Sequence, residues 1–187
     1  MVGIYLKKIT VFILAGLMLL ACNSSEKSLP KTTYFAWSSF LEQQINTFKK
    51  TKPRVHKSVV LDGKKEVKIS ANVDWEKELA LYLEADLNKP AFEKSYDNLS
   101  EPGFFWYSLK KGEDLPVKKM IIHLDVGGLP SKVEIEISQK NFLFETRKKL
   151  FMNFSQGRIQ TYYIEGMQKF FLAEPTHYKL LGVLVPK

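Results

Sequence analysis

From Phe104 to Val185 the apolar residues recur with a period of two, and this alternation constrains the fold more than any other feature of the chain. The stretch KVEIEIS places Val133, Ile135 and Ile137 on one side and Lys132, Glu134 and Glu136 on the other, as in an antiparallel strand with one dry and one wet face. VKKMIIHLD repeats the pattern with Met120, Ile122 and Leu124, and HYKLLGVLV with Tyr178, Leu180 and Leu184. Turn signals separate the runs: Gly127, Gly128 and Pro130 in VGGLPS, and Gln156-Gly157 between NFLFETRKKLFMNFS and RIQTYYIEGMQKFF. Because no helical pattern lies between these runs, an antiparallel meander is expected and parallel βαβ units are not.

The residues before the meander read differently. Trp37, Leu41, Ile45 and Phe48 lie at helical spacing. Ser39 with Glu42 predicts a capping box that starts the helix near Ser39, and Pro53 ends it. Val55–Leu61 and Lys65–Ala71 flank Asp62-Gly63, which suits a tight hairpin turn. The hairpin is expected to protrude or to form an edge, its lysines discouraging edge-to-edge association. Asp74 suits an N-cap for a second helix with Trp75, Leu79, Tyr82, Leu83 and Leu87 on one face, ended by Pro90. The expected class is α+β: two helices packed on a curved antiparallel β-meander of about six strands plus an N-terminal β-hairpin.

The N-terminus carries Lys7 and Lys8 and then an apolar run from Val11 to Ala21. As a helix this run reaches only ~16 Å, about half of a ~30 Å hydrocarbon core, and it fits a signal h-region better than a spanning helix. Leu19-Leu20-Ala21-Cys22 resembles the bacterial lipobox, in which the cysteine thiol is diacylated. That resemblance implies a signal peptide over 1–21, recognised through Leu19, Leu20 and Ala21, and a lipid on Cys22. Two or more acyl chains hold a protein firmly on a bilayer where one is marginal. Cys22 is the only cysteine, so no internal disulfide is expected. The polar stretch NSSEKSLPKTT reads as a tether, giving a lipidated linker over 22–34 and a single domain over 35–187. Asn23 stands where sorting to the inner membrane would favour aspartate. The expected location is therefore the outer membrane, facing the periplasm rather than the cell surface.

The formal net charge is +8 at pH 7, but the lysines are spread along the chain without the dense basic run typical of nucleic-acid binding. No nucleic-acid partner is expected. The histidines, His56, His123 and His177, show no ligand spacing, and no nucleophile elbow or phosphate loop is present. Neither cofactor nor metal is expected, and the chain does not read as an enzyme. Adjacent aromatics in a strand face opposite ways, so Phe104, Trp106, Tyr162, Tyr163 and Phe170 are candidates for an apolar binding surface. The favoured reading is a tethered binding or scaffold module whose partner is an envelope protein, polymer or lipid. A carrier of a lipophilic ligand in a curved sheet is the alternative, and an envelope hydrolase is remote.

Asp74–Tyr96, DWEKELALYLEADLNKPAFEKSY, and Tyr162–Gly182, YYIEGMQKFFLAEPTHYKLLG, are similar to segments of a family of small Bacteroidetes lipoproteins. The resemblance implies lineage and envelope location, and it brings no catalytic residue with it.

Overall fold

The computed structural model describes residues 33–185. Nine antiparallel strands form one sheet: β1 (Arg54–Leu61), β2 (Lys64–Ser70), β3 (Tyr96–Asn98), β4 (Phe104–Leu109), β5 (Val117–Leu124), β6 (Pro130–Lys140), β7 (Phe144–Ser155), β8 (Arg158–Phe170) and β9 (Thr176–Val185). Their spatial order is β2-β1-β9-β8-β7-β6-β5-β4-β3. From β4 to β9 the chain is the expected meander, and the hairpin forms an edge of the sheet as expected, β1 pairing with β9 from Arg54 opposite Val185 to Leu61 opposite Tyr178. The short β3 differs from expectation and adds a strand outside β4. The architecture is thus mostly β with a few short helices.

The tight turns follow the dipeptides. Asp62-Gly63 and Gln156-Gly157 have positive φ at both positions, the condition for a type I′ hairpin turn. The first helix, α1 (Trp37–Thr51), buries Trp37, Leu41, Ile45 and Phe48. It begins at Trp37 rather than Ser39, and Ala36 offers no side-chain cap. The second expected helix is broken. Asp74 caps α2 (Trp75–Glu78) by accepting from Lys77 N at 3.3 Å, the backbone leaves helical geometry at Leu79, and α3 (Ala80–Glu84) follows. The Trp37 indole donates to the Tyr82 carbonyl at 2.7 Å. A tertiary bond therefore takes an oxygen that a longer helix would bond internally.

The helices lie on one face of the sheet, here the inner face. They meet Tyr107, Met120, Ile122, Val133, Ile135, Leu150 and Met152, all buried. Tyr34, expected in the tether, is also buried, its ring edge-on to Tyr96 and Tyr107. Two glycines allow aromatic rings to lie on the backbone. A Cβ on Gly182 would sit 2.0 Å from Cζ of Tyr162, its cross-strand partner. A Cβ on Gly166 would sit 2.6 Å from Cζ of its partner Tyr178. The Tyr162 hydroxyl donates to Glu78 at 2.5 Å, and the Lys57 ammonium pairs with the same carboxylate. The Tyr82 hydroxyl lies 3.0 Å from Phe151 O and 2.9 Å from Tyr163 O. Side chains from the helices thus cover the inner face, which a carrier would leave open.

Candidate functional site

β7 and β8 end in two neighbouring loops that expose large apolar side chains. In the β6–β7 loop, Asn141 Oδ1 accepts from Leu143 N at 2.8 Å and from Phe144 N at 2.9 Å. Its own N–H donates to Phe144 O at 2.9 Å. With the backbone satisfied locally, Phe142 and Leu143 project outward, Phe142 at 84% exposure. In the β8–β9 loop Phe170, Phe171 and Leu172 are exposed, Leu172 at 91%. Phe171 N donates to Leu143 O at 2.8 Å and ties the loops together, and Ala173 N donates to Phe170 O at 3.1 Å. Leu172 sits at φ +61, a left-handed conformation that costs a non-glycine residue energy.

A basic rim surrounds this tip. Lys140 and Lys169 border it. Glu145 bonds Lys140 at 3.2 Å and Arg147 at 2.5 Å. Those cations, Lys140 foremost, hold its carboxyl below the usual value. Arg147 follows on β7 about 10 Å behind Phe144, and Lys148 and Lys149 about 13 and 17 Å behind it, at the rise of a strand. With the N–H groups of Asn141, Leu143, Phe144, Phe171 and Ala173 paired, most of the backbone donors of these apolar loops are satisfied, which lowers the cost of entering a low-dielectric surface.

A shallow groove of about 340 Å³ crosses the other, outer face of β6 to β9. Its walls include the cross-strand row Glu136, Lys149, Glu165 and Lys179. Opposite charges alternate along this row, and Lys119 pairs with Glu136 at 2.6 Å at its end. Such a ladder stabilises the strand pairs and suits a solvated face.

The residues read as sites from the sequence separate. Leu19, Leu20, Ala21 and Cys22 lie outside the described residues. Tyr162 is not on a surface: it is fully buried, and burial together with the Glu78 carboxylate pushes its phenol well above the usual range. Phe104, Trp106 and Tyr163 lie on the outer face, with Tyr163 beside Phe151 at 6.0 Å and Phe104 beside His123 at 6.4 Å. They form no common pocket with Phe170, which alone belongs to the tip. Phe142, Leu143, Phe171 and Leu172 were missed, because NFLF and FFLAEP read as strand ends. The available signal was an apolar run placed where a turn had to be.

Among the described residues no cluster of His, Cys, Asp and Glu could hold a metal ion, and no helix is long and apolar enough to cross a membrane. Comparison with protein-family models, with curated proteins and with solved structures finds no match to this chain.

Proposed function

We propose that this chain is a non-enzymatic binding module of the cell envelope, anchored by lipid on Cys22 and resting its loop tip in the bilayer interface. The observation that carries the reading is the tip: Phe142, Leu143, Phe170, Phe171 and Leu172 are exposed together behind a basic rim. Exposed apolar groups concentrated in one place mark an interaction surface. Burying such side chains to the depth of an interfacial segment, about 5–10 Å, brings Lys140, Lys169 and Arg147 level with anionic headgroups. The periplasmic face of an outer membrane is the location that fits the lipobox-like segment and Asn23. Carriage of a lipophilic ligand is not proposed, since the helices occupy the inner face.

Two measurements test this. Cys22→Ser is expected to abolish palmitate incorporation and release the chain from envelopes; unchanged incorporation refutes the anchor. Leu172→Cys, labelled with a polarity-sensitive dye in the tethered full-length chain, is expected to shift to the blue and be quenched by nitroxide lipids. A dye that reports water, as one at Ser100→Cys does, refutes the tip.

A further inference from the structure

We propose that two copies of this chain pair edge to edge through β2, antiparallel about a twofold axis at Val67, making one continuous sheet. β2 is an outermost strand, and every residue from Leu61 to Ile69 is exposed. The direction of its free backbone groups follows from one bond. Asp62 N donates to His177 O at 2.9 Å, towards β9. Successive residues alternate between neighbours in an antiparallel ladder, so Leu61, Val59, Lys57 and Val55 turn their backbone to β2. Their partners are Lys64, Glu66, Lys68 and Ser70. Lys65, Val67 and Ile69 are left with N–H and C=O directed away from the sheet, three consecutive outward positions on a strand of seven residues.

A twofold axis at Val67 pairs all of them: Val67 with the partner's Val67, and Lys65 and Ile69 with each other reciprocally. The same register sets Glu66 opposite the partner's Lys68, and Lys68 opposite the partner's Glu66. Lys64 meets Ser70. On the outer face Val67, at 67% exposure, loses water against the partner's Val67, and Ile69, at 57%, against the stem of the partner's Lys65 and, diagonally, the partner's Val67. Neighbouring registers fail on charge. An axis at Glu66 opposes two glutamates, and axes at Lys65 or Lys68 oppose two lysines. An axis at Ile69 runs Val67 against Ala71, beyond the end of β2 at Ser70. The lysines that guard this edge against unspecific pairing therefore leave one register open, and its occupant is a second copy.

The full-length chain in its membrane provides the test. Under mild oxidation Val67→Cys is expected to form a disulfide-linked dimer, since Cα atoms of a hydrogen-bonded antiparallel pair lie about 5.5 Å apart, within disulfide range. The unsubstituted chain with Cys22 alone and Ser100→Cys serve as controls. In the Val67→Cys background, Lys68→Glu is expected to cut the yield about tenfold by replacing two attractions with two repulsions. Adding Glu66→Lys to that variant restores the pairing with signs exchanged and recovers the yield. Cross-linking at control level, cross-links to a species of another mass, a yield indifferent to Lys68→Glu, or no recovery in the swapped variant would each overturn the proposal. All these residues are exposed, so their substitution leaves the core intact.

Discussion

The β8–β9 hairpin carries tyrosines along its strands and phenylalanines at its loop, and its middle and its end treat these rings in opposite ways. In the middle Tyr162 lies on Gly182 and Tyr178 on Gly166, and the Tyr162 ring is sealed beneath the helices. At the end Phe170, Phe171 and Leu172 stand in water. The two regions share composition and hairpin; they differ in whether something packs against them. A glycine opposite and a helix above make an aromatic part of the core. Without either, the same kind of side chain becomes a contact surface, so aromatic content alone says nothing about function.

The largest effect that tests this contrast is expected from Gly182→Ala. Its methyl would lie 2.0 Å from a ring with no room to swing out, and a loss of about 3 kcal/mol is expected from overpacking of this kind. Urea denaturation measures it. A change under about 0.5 kcal/mol, the level of an ordinary surface substitution, would mean that the ring is not seated there.

Alkaline titration reports the same buried region. Burial is the main cause holding the phenols of Tyr82 and Tyr162 well above the ordinary tyrosine value of about 10. Their folded-state values are raised, so the stability they contribute is complete below pH 10 and declines as pH rises beyond it. Each group lowers stability by about 1.4 kcal/mol per pH unit in that range. The phenols of Tyr96, Tyr107, Tyr163 and Tyr178 are raised as well, so Tyr162→Phe should remove one group's share of the slope, about 1.4 kcal/mol per pH unit. At neutral pH it should cost about 1.5–3 kcal/mol for a lost hydrogen bond to a carboxylate. An unchanged slope would show Tyr162 to be open to solvent.

Gly166→Ala is expected to cost less than Gly182→Ala, about 1–2 kcal/mol, since Tyr178 is only half-buried and can yield. Equal losses would remove the distinction between the two glycines.

The smallest effects on stability belong to the tip. Phe142→Ser should leave the urea midpoint within about 0.5 kcal/mol while weakening attachment to anionic vesicles. Leu172→Gly sharpens the contrast, because it relieves a left-handed backbone at φ +61. It should stabilise the fold by up to about 1 kcal/mol and still reduce dye insertion reported from Phe142→Cys. If both substitutions spare vesicle attachment, the tip is not the contact.

Much of the architecture was legible. Val133, Ile135 and Ile137 are buried as their alternation requires, and Trp37, Leu41, Ile45 and Phe48 line the buried face of α1. These patterns are local, and a period of two or of 3.6 can be read along the chain. The early end of α3 at Glu84 was not legible, because the indole that takes the Tyr82 carbonyl, which a longer helix would bond to Asp86 N, comes from Trp37, far away in sequence. Nor was β3, whose three residues are too few for a pattern. The repeated spacing of Tyr162 to Gly166 and of Tyr178 to Gly182 was visible, but its meaning needs the register that sets each tyrosine opposite the other strand's glycine.

By itself the sequence determined which residues face which way along each strand, where the type I′ turns fall, and that an antiparallel meander results, because side-chain alternation and turn dihedrals are properties of adjacent residues. The tertiary structure decided which aromatics are core and which are surface, and that β1 docks on β9 to leave β2 as an edge. Cover and strand neighbours come from parts of the chain that only folding brings together.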